Sequence, residues 1–394
     1  MKPREPRHVF ISCGEASGDR YGAALMAALR SLEPDIRISA LGGRAMAAAG
    51  ARIVCDSEEL AVMGFAEVVS ALPAVLRARQ KLFRFLSDEK PDLVIPIDFP
   101  GFNGQLAGKA QQLGLPVYWL IAPQVWAWGG WRTGGYRKKI QRLGTILPFE
   151  EEFFRQRGFD VFPMGHPLSE DYMGSFPFED SLDRREKLFH SRQDPLVVGI
   201  IPGSRRQELK ELLPILKVTS QALVGHFENR EVRFILSAAP GVDPLRLNEQ
   251  FDNGTEITQE PLSQLFPRCD LALVCSGTAS LEAALAGVPH ELVYRTGALN
   301  SWIGKRLLRT PFVGLSNLIL QRRMVREHLQ EQVAPLPLAR NLLRWVGRPS
   351  ERQAFYADAR RLRQLCGKPG VWERTARDIL TFLETGSPSD DPRS

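Results

Sequence analysis

Short apolar runs alternate with longer stretches of helical periodicity over most of the 394 residues. The runs are continuous, which is typical of strands that are buried on both faces of a parallel sheet. They form two series, one in each half of the chain: residues 8–13, 36–41, 92–97 and 117–121, then 196–201, 232–236, 271–275 and 292–294. Strands that alternate with helices predict an α/β fold of two doubly wound, Rossmann-like domains that face each other across a cleft.

A polar segment without strand-like runs, residues 171–194, predicts the junction between the domains. We therefore expect an N-terminal domain over residues 1–172 and a C-terminal domain over residues 173–340. Residues 341–386 are helical in pattern and rich in arginine. Residues 387–394 combine Ser, Pro and Asp, which predicts a disordered tail.

The charge and the cysteines narrow the class of protein. A net charge of +6 and a pI near 9.1 favour anionic partners. The sequence shows none of the signatures of nucleic-acid-binding proteins, so we expect no nucleic-acid partner. Five cysteines without a CxxC pair indicate buried thiols in a reducing compartment. The sequence also lacks a signal-peptide core, apolar runs of about 18 residues, and HExxH or DxD motifs, which predicts no membrane span, no metal and no other cofactor.

The most informative motif is SGTASLEAALAGVP, residues 276–289, which follows a strand-like run. It predicts a Gly-containing turn and then a helix. The free N–H groups at a helix N-terminus bind anions, and a carboxylate one turn further can accept hydrogen bonds from ribose. This pattern suits a nucleotide diphosphate, although a simple N-capped turn has the same composition. The candidate residues are Ser276, Gly277, Thr278, Ser280 and Glu282.

Two further loops follow the first strand of each series. In the second half, Gly203 permits a tight turn, Ser204 can donate a hydrogen bond, and Arg205 can bind a phosphate through its guanidinium. Ligands of open α/β sheets bind at the carboxyl ends of strands, which favours binding over a solvent-exposed turn at this loop, whereas the first-half loop taken alone is more typical of a capped turn. The candidates in the corresponding loop of the first half are Gly14, Glu15, Ser17 and Asp19.

Asp98 ends an otherwise apolar strand-like run. A carboxylate at the carboxyl end of a buried strand faces the predicted cleft, and burial raises its pKa, which suits a general base. The N-cap of a helix that begins near Pro100 is the alternative role. Asn103, in the same motif, is a candidate substrate contact.

Residues 122–132 hold three tryptophans, Trp126, Trp128 and Trp131. Aromatic faces suit sugar rings or the boundary between acyl chains and water. Arg132 follows and, with further basic residues up to Arg142, could bind a phosphate. Core packing beside a solvated basic helix would give the same pattern.

The segment from Ala61 to Leu76 contains Glu67 as its single charge, and four basic residues follow it up to Arg84. An apolar patch beside a basic rim can dock on an anionic membrane surface. An ordinary core helix is the alternative interpretation.

Eight motifs occur in a fixed order: GEASGD, MGFAEVV, IDFPGFN, APQVWAW, LPFE, GHPL, IPGSR and SGTASLEAALAGVP. Together they closely resemble the lipid-A-disaccharide synthase family, from about residue 8 to about residue 340. The resemblance implies the GT-B fold of nucleotide-sugar glycosyltransferases. It implies transfer of 2,3-diacylglucosamine from UDP to 2,3-diacylglucosamine 1-phosphate, with inversion and without a metal, at the cytoplasmic side of the inner membrane. The products are UDP and a β-1′,6-linked disaccharide 1-phosphate.

The resemblance also assigns roles to individual residues. Asp98 matches the family's essential aspartate and would take the proton of the acceptor 6-hydroxyl. The implied UDP-binding residues are Arg205, Gly277, Thr278 and Glu282, with Asn317 and Gln330 in the cleft; Glu15, Ser17 and Asp19 would lie on the donor-sugar or acceptor side. The helices after residue 340 are expected to pack back toward the first domain, and a homodimer is one assembly that the family analogy leaves open.

Two segments depart from the family pattern. Where the family usually has an arginine and a basic pair after Trp128, this chain has Gly129 and then Trp131 and Arg132. After Asn317, Arg323 replaces an acidic residue. These departures concern the acceptor-phosphate contacts and the acceptor and acyl-chain preference.

Three other functions share some of these features. A peptidoglycan-type UDP-N-acetylglucosamine transferase usually carries GGxxGH in its first loop, where this chain has GEASGD. A UDP-N-acetylglucosamine 2-epimerase would bind a UDP-sugar but would not need the Trp-rich loop. A non-catalytic lipid- or nucleotide-binding protein would not need Asp98.

Overall fold

The chain folds into two compact units. The computed structural model describes residues 6–57, 68–174, 176–191, 193–227, 230–239, 241–248, 251, 254–275, 277–295 and 310–385. The first unit comprises the chain up to Pro167 together with the segment from Pro369 onward, and the second unit is Leu168–Lys368. The sequence pattern had placed these boundaries at residues 172 and 340.

A parallel sheet forms the centre of the first unit. Its strands are β1 (His8–Ser12), β2 (Arg37–Gly42), β3 (Arg52–Asp56), β4 (Leu93–Pro96), β5 (Tyr118–Leu120), β6 (Arg142–Thr145) and β7 (Val161–Pro163). Parallel bridges from Val94 to Val117 and from Ile97 to Leu120 connect β4 to β5, so the spatial order is β3-β2-β1-β4-β5-β6-β7. Every residue of β1 is buried, as expected for a central strand that is covered on both faces.

Helices connect these strands and cover both faces of the sheet. They are α1 (Ala16–Leu32), α2 (Arg44–Ala48), α3 (Val68–Glu89), α4 (Pro100–Gln112), α5 (Val125–Trp128), α6 (Thr133–Arg137) and α7 (Pro148–Arg155). Two core clusters result, and the neighbouring residues Phe10 and Ile11 belong to different ones. Because successive side chains of a strand point to opposite faces, the two clusters lie on opposite sides of the sheet.

The second unit repeats this architecture with a six-stranded parallel sheet. Its strands are β8 (Leu196–Ile201), β9 (Val232–Ser237), β10 (Thr255–Thr258), β11 (Leu271–Cys275), β12 (His290–Tyr294) and β13 (Glu327–Leu329), in the spatial order β10-β9-β8-β11-β12-β13. Its helices are α8 (Ser169–Tyr172), α9 (Phe178–His190), α10 (Arg206–His226), α11 (Pro244–Asn248), α12 (Leu262–Leu265), α13 (Thr278–Leu285), α14 (Leu315–Leu320), α15 (Pro335–Gly347) and α16 (Pro349–Cys366).

The last helix, α17 (Val371–Thr385), belongs to the first unit, where it packs against α1. Its buried Asp378 accepts hydrogen bonds from Arg142 Nη2 at 2.7 Å and from the Tyr118 hydroxyl at 2.6 Å. Of the helices that we expected to pack back toward the first domain, α17 alone lies in that unit, because α15 packs on α10 and α16 on α13. Arg142, considered above as a phosphate ligand, is instead buried in this ion pair.

The structure contains all eight predicted strands, with ends within two residues of those predicted. It adds five strands that the apolar pattern did not predict: β3, β6, β7, β10 and β13. Polar residues, glycine or proline flank or interrupt the few apolar positions of each, which leaves no recognisable apolar run. The prediction of parallel, doubly wound sheets is confirmed.

Candidate active site

Each sheet has one point at which the order of its strands reverses. In the first unit the chain runs from β1 outward to β2 and β3, and then returns to β4 on the other side of β1. In the second unit β9 and β10 lie on one side of β8, and β11 lies on the other. Ligands of open α/β sheets bind at the carboxyl ends of such neighbouring strands. The predicted loops with Gly14, Asp98, Gly203 and Gly277 are the loops at these two points.

The loops after β1 and β4 touch each other in the first unit. A Cβ atom at Gly14 would lie 2.3 Å from Cδ1 of Phe99, so any larger residue would push these loops apart. Asp98 and Phe99 both adopt left-handed backbone conformations, with φ of 46° and 51°. Left-handed backbone costs about 1–3 kcal/mol for each non-glycine residue and is often retained at functional sites. The strained turn places the Asp98 carboxylate at the edge of the sheet.

Asp98 has the properties of a general base. The pKa of its carboxyl is raised to about 6, first by burial and then by the negative charge of Glu15, against the stabilising hydrogen bond from the Phe99 backbone. Glu15 is itself exposed at the N-cap of α1, and Ser17 is half-buried in the first turn of that helix. The structure therefore brings Glu15 close to Asp98, and Ser17 follows two residues after Glu15. A carboxylate with a pKa near 6 is ionised at neutral pH and still has useful proton affinity.

Asn103 and Asp19 were expected to contact substrate, but both side chains are buried and engaged inside the unit. The Asn103 amide nitrogen donates to the carbonyl oxygen of Asp98 at 2.8 Å, and its oxygen accepts from the Ser12 hydroxyl at 2.6 Å. Asn103 therefore stabilises the strained turn that carries Asp98. The Asp19 carboxylate accepts three backbone hydrogen bonds, from Gly43, Ala45 and Met46, at the N-terminus of α2. This carboxylate caps a helix.

A second buried carboxyl group, Glu150, lies near Asp98 and was not among the predicted site residues. It accepts hydrogen bonds from the Trp126 indole at 3.0 Å and from the backbone of Ile146 and Leu147 at 3.1 and 3.0 Å. Burial raises its pKa to about 7; these donors oppose the rise, and the charge of Asp98 adds to it. Glu150 thus holds Trp126 in place. The signal for it was the LPFE motif, whose spacing also fits an ordinary capping box.

The side chains of the Trp-rich loop, residues 122–132, differ in their exposure to solvent. Trp126 is partly buried, with its ring 4.9 Å from that of Phe149. Arg132 is half-buried, and its guanidinium lies 5.9 Å from the centre of the Tyr136 ring. Trp131 is 84% exposed. The side chain of Trp128 lies outside the described part of the structure, as do residues 61–67 of the predicted membrane segment.

In the second unit, the loops after β8 and β11 meet at Gly203. This residue has a φ of 97°, and a Cβ atom there would lie 2.5 Å from Glu208 Oε2 and 3.2 Å from Cys275 Sγ. Ser204 is exposed, and the Arg205 side chain is 73% exposed while it bonds to Glu208 at 3.2 Å. Arg205 is thus accessible to a ligand at the edge of the sheet.

Helix α13 has an open N-terminus and a compensated C-terminus. Among the described residues, no side chain caps its N-terminal end, and a Cβ at Gly277 would meet no described atom within 4 Å. At the other end, buried Arg185 donates to the carbonyl oxygen of Ala286 at 3.1 Å, and Arg363 donates to that of Leu285 at 2.9 Å. Cations at the C-terminus complement the helix dipole, while the free N–H groups at the N-terminus suit an anion.

The remaining predicted residues of this unit divide into accessible and internal ones. Thr278 is exposed, and Glu282 and Gln330 are half-buried. Ser280 is buried against His290, at 3.2 Å. Asn317 is buried and bonds to Val325 and Glu327. Ser276 lies outside the described residues. Ser280 and Asn317 therefore support the site from behind, contrary to the expected direct contact.

Two kinds of feature are absent from the described residues. No helix in these ranges is long and apolar enough to cross a bilayer. In the same part of the chain, no group of three or more His, Cys, Asp or Glu side chains is arranged to hold a metal ion.

The fold is shared with enzymes that act on nucleotide sugars. A protein from Listeria monocytogenes that is named a putative UDP-N-acetylglucosamine 2-epimerase has a TM-score of 0.63 at 11% identity and covers 98% of this chain and 99% of its own. The calicheamicin glycosyltransferase CalG4 has a TM-score of 0.59 at 16% identity and covers 98% and 100%. Two doubly wound units with loops at both switch points place the chain in the GT-B class, as predicted.

Sequence comparison gives the family. The chain matches the lipid-A-disaccharide synthetase family over residues 9–368. Lipid-A-disaccharide synthases of Syntrophus aciditrophicus and Myxococcus xanthus are 35% and 34% identical to it, over 95% and 97% of this chain and 98% and 99% of theirs. The chain therefore belongs to the lipid-A-disaccharide synthetase family, and it is a UDP-sugar-dependent glycosyltransferase of lipid A synthesis. The recognition from eight ordered motifs is confirmed, and the alternative functions are not favoured.

Proposed function

We propose that this enzyme transfers 2,3-diacylglucosamine from UDP-2,3-diacylglucosamine to 2,3-diacylglucosamine 1-phosphate by a single inverting displacement with Asp98 as the base. The observation that carries the mechanism is the strained, half-buried Asp98 at the switch point of the first sheet, with its pKa raised to about 6. Family membership supports the substrates.

The proposed reaction is a single displacement at the anomeric carbon of the donor. The Asp98 carboxylate takes the proton of the acceptor 6-hydroxyl while that oxygen forms a bond to the anomeric carbon of the donor. The bond from the anomeric carbon to the UDP oxygen breaks, and UDP leaves with the electron pair. Attack from the face opposite UDP inverts the anomeric centre and gives the β-1′,6 linkage.

The second unit would stabilise the leaving group. Arg205 and the N–H groups of Gly277 and Thr278 are positioned to offset the charge that develops on the diphosphate. Glu282, one turn into α13, would accept hydrogen bonds from the ribose hydroxyls. We propose that these protein groups are sufficient for the reaction without a bound metal.

We also propose that the enzyme docks peripherally on the cytoplasmic face of the inner membrane. Residues 99–149 contain six lysines and arginines and no aspartate or glutamate. Trp131 projects from this stretch beside Arg132, and Tyr136 from the same loop donates to the carbonyl oxygen of Pro100, close to Asp98. An exposed tryptophan with basic neighbours suits an anionic bilayer surface. This surface would act together with the segment from Ala61 to Arg84 and bring the lipid acceptor to the base.

The test is product formation from the two proposed substrates without added metal. UDP release and product mass would be followed for the wild type, Asp98→Asn and Asp35→Asn, an exposed aspartate of the same unit. We expect a disaccharide phosphate from the wild type and Asp35→Asn, and a loss of about 100-fold or more for Asp98→Asn. UDP binding without any product from the wild type would refute the acceptor assignment.

A further inference from the structure

Tyr172 connects α8 to α13 through a partly buried hydrogen bond. Its side chain is fully buried, and its hydroxyl donates to Oε2 of Glu282 at 2.9 Å. The two residues are 110 positions apart in the sequence, and no motif indicated this contact. A buried hydroxyl bonded to a carboxylate on the wall of a proposed binding site requires a functional account as well as a structural one.

Packing fixes the position of the Tyr172 hydroxyl. The tyrosine ring lies 5.2 Å from the ring of Phe176, and the guanidinium of Arg363 lies 5.8 Å from the same ring of Phe176. Arg363 also bonds to the carbonyl oxygen of Leu285 at the end of α13. The backbone of α13 and the tyrosine are therefore held by the same group of side chains.

The hydrogen bond restricts the one carboxylate of α13 that lies near its open N-terminus. A glutamate side chain has three rotatable bonds, and fixing it on ligand binding costs conformational entropy. A donor that holds Oε2 beforehand removes part of this cost and leaves the direction of the carboxylate defined. A site built to bond to hydroxyl groups also discriminates strongly against ligands that lack them.

We propose that Tyr172 is a positioning residue that orients Glu282 for the two hydroxyls of a ribose, and so makes the site selective for a ribonucleoside diphosphate. The inference rests on the proposed UDP site. Tyr172 does not touch the ligand itself; it acts through Glu282.

The experiment is calorimetric titration of the full chain with UDP and with 2′,3′-dideoxy-UDP. For Tyr172→Phe we expect the affinity for UDP to fall about tenfold, because the Glu282 side chain must then be ordered when the ligand binds. The affinity for 2′,3′-dideoxy-UDP should stay within about twofold, because that ligand has no hydroxyls for Glu282 to bind. Tyr356→Phe is the matched control, since this buried tyrosine of the same unit faces Glu186 and Arg352.

The outcomes separate this inference from the function on which it rests. If Tyr172→Phe weakens both ligands equally, or neither, Tyr172 has no positioning role and the inference is wrong while the UDP site stands. If the wild type does not bind UDP, the UDP site and the inference both fall. A double-mutant cycle adds an independent measurement: in a Glu282→Gln background, Tyr172→Phe should have no further effect on UDP affinity. A thermal unfolding scan without ligand shows whether the variant is folded.

Discussion

Replacing Asp98 with asparagine should abolish sugar transfer and, at the same time, make the protein more stable above neutral pH. Asparagine keeps the shape of the side chain and removes its charge. In the folded protein the pKa of Asp98 is raised from 3.8 to about 6, mainly by burial. A carboxyl whose folded pKa is raised destabilises the fold progressively as pH rises from the unfolded pKa through the folded one. The charge needed for catalysis is thus a charge that the fold disfavours.

The magnitude follows from the two pKa values. A rise from 3.8 to about 6 corresponds to about 3 kcal/mol, at 1.36 kcal/mol for each pKa unit, and this is an upper limit for Asp98→Asn. The gain should be nearly complete at pH 8, intermediate near pH 5 and absent below about pH 3.8. Urea unfolding of the wild type and the variant at these pH values measures it.

Two results would refute this prediction. If Asp98→Asn is less stable than the wild type at pH 8, or if the difference between the two proteins does not change with pH, Asp98 is not a carboxylate destabilised by burial. Asp35→Asn, at an exposed position of the same unit, is the control for the substitution itself. Loss of transfer in Asp98→Asn together with the stability gain would show that one group causes both effects.

Three further predictions concern other parts of the first unit. In Glu150→Gln, the pH profile of kcat/KM should keep the rise near pH 6 that comes from Asp98 and should lose a second rise near pH 7. The second rise is expected because ionised Glu150 makes the nearby Asp98 a stronger base. A profile identical to that of the wild type would contradict this. Asp378→Asn should cost about 1.5–3 kcal/mol in urea unfolding, because Arg142 loses one buried carboxylate and keeps only the ion pair with Asp160 at 2.6 Å, and a loss below about 1 kcal/mol would show that α17 is held by other contacts. Trp131→Ala should reduce co-sedimentation with phosphatidylglycerol vesicles several-fold while UDP affinity stays unchanged, and equal sedimentation would exclude Trp131 from the membrane contact.

The sequence was sufficient to predict the main strands and the loops that carry the site. Long apolar runs are strong signals because a strand buried on both faces has few polar positions: the three central residues of β1 and all of β11 are apolar. Loops at the carboxyl ends of such strands could then be located by position alone. The short strand β6, with the sequence RLGT, carries no such signal, because its burial depends on partners elsewhere in the chain.

The direction in which a polar side chain points could not be predicted. Asp19, Asn103 and Asn317 lie in the predicted loops and helices, yet each is buried and bonds to the backbone behind the site. Motif spacing identifies the loop but not which side of it a residue occupies. The sequence did not point to Tyr172 or Glu150, because each acts through a contact with a residue far away in the chain. Tyr172 bonds to Glu282, and Glu150 bonds to Trp126.

The two switch points favour opposite changes of charge, because one attracts a proton and the other attracts negative charge. The proposed reaction needs both. Around Asp98, burial and the like charge of Glu15 raise the affinity for a proton. At α13, an N-terminus that no described side chain caps and the accessible Arg205 favour a group that gains negative charge. A single displacement transfers a proton to the base while the diphosphate takes an electron pair. The base alone would not stabilise the leaving group, and the helix N-terminus alone would only bind nucleotide. Changes at Asp98 in the first unit should therefore lower activity and leave UDP affinity unchanged, whereas changes at Arg205 in the second unit should lower UDP affinity.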